Sequence, residues 1–202
     1  MNNQDQIQEA KLAALQQAMA EYVPGSLFDH EHEADLAKIR HRALLLLDHR
    51  ARSVHEMRTR LKDLGQFHDQ DIEEVLEKFI QDGLLNDRDF ASEWVRGRRQ
   101  RRGKSRAVLN QELKEKGISD QIRAEVLSEV TDDAEYDIAY QFAAKKARSV
   151  KVLPVDWAER EKDLRKVVGV LARRGFPMGM SMNIAREVLD SRYQELESEQ
   201  ED

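Results

Sequence analysis

The sequence predicts an all-α fold, on three observations. Glycine and proline are scarce, 9 and 3 among 202 residues, so a helix meets few interruptions. Strand-length runs of β-branched residues are absent. Apolar residues recur at helical spacing along most of the chain. More specifically, the pattern predicts an elongated, curved array of three tandem three-helix repeats with an extra N-terminal helix.

The elements follow in order. Residues 5–21 carry Ile7, Leu12, Leu15 and Met19 on one helical face, and Pro24-Gly25 ends that helix. Residues 25–34 read as a linker, so 1–34 form a leading segment. Repeat one, 35–86, has helices over about 35–50, 54–64 and 70–82. Ser53 is its expected N-cap, with Glu56 in a capping-box position. Repeat two, 87–131, has helices over about 87–102, 105–116 and 119–130, with Ser105 and Ser119 as caps. Repeat three, 132–202, has helices over about 133–149, 156–174 and 180–196, with Asp156 as a cap, and ends in an acidic tail.

The repeat rests on recurring positions. Leu61, Leu113 and Leu171 each stand four residues before a glycine, Gly65, Gly117 and Gly175. A Val-Leu pair follows in each third helix, at 75–76, 126–127 and 188–189, and Ala-Arg-Ser-Val occurs at 51–54 and 147–150. A unit of about 50 residues is marginal alone, so neighbours should stack. Leu44 to Leu47 cover every side of a helix, which predicts burial on two sides of that turn.

Composition narrows the function classes. Aromatic residues are 6% of the chain, so the core must come from Leu, Val, Ile and Ala. Charged residues reach 36%, but a net charge of −6 and regular apolar spacing favour folded helices over disorder. With no cysteine there is no disulfide, thiolate metal site or cysteine nucleophile, which fits a reducing compartment. No apolar segment is long enough for a bilayer, and the first residues lack a signal-peptide pattern. The expectation is a cytoplasmic monomer without a membrane partner.

Charge is segmented along the chain. Acid gathers at Asp29–Asp35 and Glu195–Asp202, and positive charge in the middle. Arg96, Arg98, Arg99, Arg101, Arg102, Lys104 and Arg106 follow one another with no acidic residue from Trp94 to Gln111. The first repeat adds Arg50, Arg52 and Arg58, beside Arg40, Arg42, Arg60 and Lys62. Like charges at this density repel unless a partner or nearby carboxylates offset them. The functional reading is a docking surface for an acidic protein face or for phosphates. The plain alternative is a solvated helix face neutralised by an adjacent repeat.

Catalytic patterns are missing from the sequence. Gly103-Lys104-Ser105 resembles the end of a phosphate loop, but five residues separate Gly97 from Gly103 and a helix precedes them. The six histidines, at 30, 32, 41, 49, 55 and 68, read as surface residues. No triad or glycine-rich phosphate loop stands out, so no enzyme activity and no cofactor are expected. Trp94 shares the apolar stripe of Phe90, Ala91 and Val95, which favours core packing over an interface anchor. Trp157 fits either role.

The stretch Phe90 to Ile118, FASEWVRGRRQRRGKSRAVLNQELKEKGI, resembles the RecX family of bacterial recombination regulators. It shares an aromatic start, an arginine-rich helix, a glycine-centred turn and a leucine-rich helix ending Lys-Gly-Ile. Gly-Leu-Leu-Asn-Asp at 83–87 and Leu-Ala-Arg-Arg-Gly-Phe at 171–176 extend the likeness to about residues 36–190. The resemblance implies tandem three-helix repeats and a partner, the RecA recombinase assembled on single-stranded DNA. It implies a non-enzymatic regulator that lies on the filament and restrains its ATPase, strand-exchange and co-protease activities. The cations alone also suit a nucleic-acid-binding helical repeat or helix-turn-helix protein, on single- or double-stranded DNA, or a structural scaffold.

Overall fold

The computed structural model describes residues 30–201. Its elements are α1 (His30–His49), α2 (Val54–Lys62), α3 (Asp69–Gln81), α4 (Asp87–Arg102), α5 (Arg106–Glu115), α6 (Asp120–Ser128), α7 (Asp132–Ala147), α8 (Trp157–Ala172) and α9 (Met178–Glu201). All are α-helices, and there is no strand among the described residues. The helix expected over 5–21 lies outside them.

Most helix starts were written in the sequence as caps. The side-chain oxygens of Ser53, Asn86, Ser105, Ser119, Thr131 and Asp156 each accept a backbone N–H from the first turn of the following helix. The first helix corrects the linker expected at 25–34, because residues 30–34 are already helical. That stretch holds no glycine or proline, and His32 ties it to Asp71 and Glu74 of α3. The last helix starts two residues earlier than expected and runs five further. Pro177 precedes it, and the Ser181 N–H bonds the Pro177 carbonyl in its first turn.

Helices pack in successive sets of three: α1–α3, α4–α6 and α7–α9. Each set closes on its own buried cluster. Leu36, Ile39, Met57, Leu61, Ile72, Val75, Leu76 and Phe79 fill the first. Phe90, Val95, Leu109, Leu113, Ile118 and Val126 fill the second. Small residues of α7, Ala139, Ala143 and Ala147, let α8 and α9 approach closely in the third. Leu61, Leu113 and Leu171, the residues four before each glycine, are all fully buried. The leucine run behaves differently from expectation. Leu44 and Leu45 remain 47% and 49% exposed, because Ile39 and Ala43 already take the core side of α1.

The sets are joined by one arrangement used twice. At the first junction Ser53 Oγ donates to the Lys116 carbonyl at 2.7 Å, and the Val54 N–H donates to Asp87 Oδ1 at 2.8 Å. At the second, the Ser105 N–H and Oγ donate to the carbonyls of Arg174 and Gly175 at 3.0 and 2.8 Å. The Arg106 N–H there donates to Glu135 Oε1 at 2.8 Å. In both, the amino end of one set's second helix meets the closing turn of the next set's second helix. Those turns need glycine. Gly117 and Gly175 have φ of +73° and +84°, and a Cβ on either would overlap His55 or Val108 of the docked helix.

Candidate partner-binding surface

The seven central cations separate once they are placed on the structure. Three find carboxylates. Arg96 pairs with Glu93, and Arg98 with Glu112 at 3.3 Å while stacking 4.4 Å from the Trp94 ring centre. Arg106 pairs with Asp132 and with Glu135 at 2.6 Å and also donates to the Val130 carbonyl. Both carboxylates belong to the next set, so Arg106 is a clasp across the second junction. Arg99 donates to the Ala134 carbonyl at 2.9 Å, again across that junction. Arg101 lies back along α4 toward the Gly97 carbonyl, and among the described residues neither Arg101, Arg102 nor Lys104 has an ion pair.

Helical geometry explains the split. Arg98, Arg101 and Arg102 are three and four residues apart and share a face. With Arg50, Phe90, Glu93 and Trp94 they line a cleft of about 440 Å³ between the first and second sets. Arg96 and Arg99 turn to another depression, beside Val126, Glu129 and Ile138. Trp94 is part of the wall. It packs against the second core, donates from Nε1 to Glu112 at 2.9 Å, and lies between Arg98 and Lys116. Trp157, by contrast, is 76% exposed.

A second cleft of about 460 Å³ adjoins the first through Arg50 and is lined by Arg52, His55, Glu56, Arg60, Asp63 and Lys116 among others. Arg50 pairs there with Glu56 through both guanidinium nitrogens at 3.0 Å, and Lys116 Nζ reaches the same carboxylate at 2.6 Å. Burial alone would raise the Glu56 pKa, but the hydrogen bonds from Arg50 and Lys116 outweigh it and hold the group at about 2. Among the described residues Arg52 makes no ion pair; its Nε donates to the Leu46 carbonyl at 3.1 Å. Burial, then Arg50, push its pKa below the ordinary arginine value. Arg60 carries no ion pair either, whereas Arg58 is held by Glu73 at 2.7 Å.

Of the ten cations singled out from the sequence, the structure brings Arg50, Arg98, Arg101 and Arg102 together, with Arg52 beside them. It assigns Arg58, Arg99 and Arg106 to internal bonds. Sequence reasoning missed Lys116 and Glu56 as the hub of the cleft. The signal was present in the Ser53/Glu56 capping box, but Glu56 turns from its own helix end to Arg50 and Lys116. Among the described residues no group of three His, Asp or Glu side chains is placed to hold a metal ion. No described helix is long and apolar enough to cross a membrane.

Models of two adjoining modules match this chain. The one described as the first three-helix domain of RecX covers residues 40–79, and the second three-helix domain covers 86–127. A regulatory protein RecX from Corynebacterium efficiens is 50% identical over 94% of this chain and 93% of its own length. The chain belongs to the RecX family of regulatory proteins. A RecX regulatory protein from Amycolatopsis mediterranei is 34% identical over 71% of the chain and 79% of its own length. The crystal structure of RecX from Lactobacillus salivarius superposes with a TM-score of 0.64 at 27% identity, over 78% of this chain and 98% of that one. Another solved RecX regulatory protein, at 23% identity and a TM-score of 0.66, shares the fold. Both RecX modules fall on the first two helix sets, the ones that form the two clefts.

Proposed function

We propose that this RecX-family chain is a non-enzymatic regulator that binds RecA filaments on single-stranded DNA. It restrains their ATP hydrolysis, strand exchange and co-protease activity, and so acts in recombination, DNA repair and the SOS response. It works in the cytoplasm as a monomer. Its three helix sets are tandem repeats, 35–86, 87–131 and 132–202, after a leading segment 1–34, and together they form an elongated, curved body.

The observation that carries this reading is the pair of clefts between the first two sets. There Arg52, Arg60, Arg101 and Arg102 make no ion pair among the described residues, on walls fixed by Trp94 and the Glu56 hub. Cations gathered along one concave surface attract an anionic face more strongly than cations spread over an open helix. A body that spans neighbouring filament subunits would oppose the changes in subunit packing that ATP turnover requires. The test is DNA-dependent ATP hydrolysis by RecA with substoichiometric amounts of this protein added. Inhibition supports the reading, and unchanged hydrolysis rejects it.

The same free cations favour one alternative, direct binding of nucleic-acid phosphates. If Arg52, Arg60, Arg101, Arg102 and Lys104 all met phosphates, log K against log salt would slope by about −4.5 on duplex DNA and about −3.5 on single strands. Absence of binding without RecA would reject it.

A further inference from the structure

The junction used twice inside the chain has a third counterpart, which no described residue fills. Gly65 stands twelve residues after Ser53, as Gly117 stands twelve after Ser105. It has the same backbone sign, φ +63°, yet no described heavy atom beyond its chain neighbours lies within 4 Å of where its Cβ would be. The carbonyls of Leu64 and Gly65 match those of Lys116, Arg174 and Gly175, which accept the docked serines. Among the described residues they accept no hydrogen bond. Asp35 precedes Ser53 by eighteen residues, as Asp87 precedes Ser105. Asp87 accepts the first N–H of the docked α2, whereas Asp35 is bonded to Lys38 and, among the described residues, to no backbone N–H.

The far end of the chain does not supply the missing half. Asp163, twelve residues before Gly175, holds the place of Ser53 and Ser105. It lies inside α8, which begins six residues earlier, and its buried carboxylate is held by Lys166 at 2.8 Å. The start of α8, the counterpart of the α2 and α5 starts, is headed by Asp156, whose carboxylate accepts and cannot supply the proton that Ser53 and Ser105 donate. A second copy therefore cannot close on the Gly65 turn by the same bonds.

We infer that the Leu64–Gly65 turn and Asp35 form a docking surface for the amino end of a protein partner's helix, one headed by Ser or Thr. Resting on the function proposed above, that helix belongs to the RecA–single-stranded-DNA filament. Continuity with the two internal junctions fixes the chemistry. The hydroxyl donates to the Leu64 or Gly65 carbonyl, and the first helical N–H donates to the Asp35 carboxylate. The glycine leaves room for the approaching turn, as it does at 117 and 175.

The test is binding of the fluorescently labelled full-length chain to preformed RecA–single-stranded-DNA filaments. In Gly65→Asn the new Cβ meets no described residue and asparagine tolerates a left-handed backbone, so thermal melting should stay close to that of the wild type. The side chain nevertheless fills the space the docking helix needs. Binding at least about tenfold weaker is expected, and Asp35→Ala should weaken it severalfold. If G65N melts early, D35A carries the test. Wild-type binding by the folded variants overturns the inference and leaves the filament reading intact. Failure of the wild-type chain to bind filaments overturns both. Unchanged filament binding by D35A together with an early melt of G65N would give the turn to the chain's own leading segment and overturn the partner.

Discussion

Ser53 and Ser105 each act twice. Their oxygens cap a helix, and their hydroxyl protons go to a carbonyl of the next set. Replacing either with alanine removes a cap and leaves a carbonyl at a tight junction without its donor. Each substitution should cost about 1–3 kcal/mol, read from denaturant unfolding. Glu56 carries a pH dependence. Its folded pKa, about 2, lies below the ordinary 4.5, so the ionised form is the one that folding favours. That contribution is fully present above about 4.5 and is lost as pH falls toward 2. Acid unfolding of the wild type should therefore be steeper over that interval than that of Glu56→Gln, which starts less stable at neutral pH. Gly117→Ala combines a left-handed backbone with overlap onto His55. It should lose more stability than Gly65→Ala, which has the backbone strain alone, and their melting temperatures give the comparison.

At the level of elements, α4 is where a uniform charge run becomes two faces. The pair Arg101 and Arg102 faces the first cleft without ion pairs, while Arg99 is bonded across to α7. Charge reversal should separate the two roles. Arg101→Glu with Arg102→Glu should leave the helical content and melting temperature near wild type while weakening filament inhibition at least about tenfold. Arg106→Ala should instead leave the buried Glu135 with a backbone N–H alone and destabilise the chain, by about 1–2 kcal/mol. Circular dichroism melts alongside the inhibition assay distinguish these outcomes. This division shows what the sequence makes legible. Caps and core leucines are local signals with fixed spacing, so Ser53, Asn86, Ser105, Ser119 and Asp156 could be read directly. The carboxylates that hold Arg106 lie 26 and 29 residues away, and Lys116 lies 60 from Glu56, so no local pattern encodes them. The Leu44–Leu45 exposure was hidden for a related reason, since only the packed set shows which side of α1 is already filled.

At the scale of the molecule, three small cores would each be marginal alone, and the two repeated junctions turn them into one body. At the centre of each junction lie backbone groups, one serine hydroxyl and one carboxylate, with ion pairs of Arg106 and Lys116 beside them. The clefts that gather the free cations exist because the first junction holds α2 against α5 at Gly117. Binding and architecture are thus linked: loosening the junction by Ser53→Ala should also weaken partner binding, without touching a cation. The central claim is that these clefts dock an anionic face of the RecA filament. The most direct measurement is the steady-state rate of RecA's DNA-dependent ATP hydrolysis with substoichiometric wild-type protein and, in parallel, the folded R101E/R102E variant. The account predicts inhibition by the wild type and near-normal hydrolysis with the variant; equal inhibition by both would contradict it.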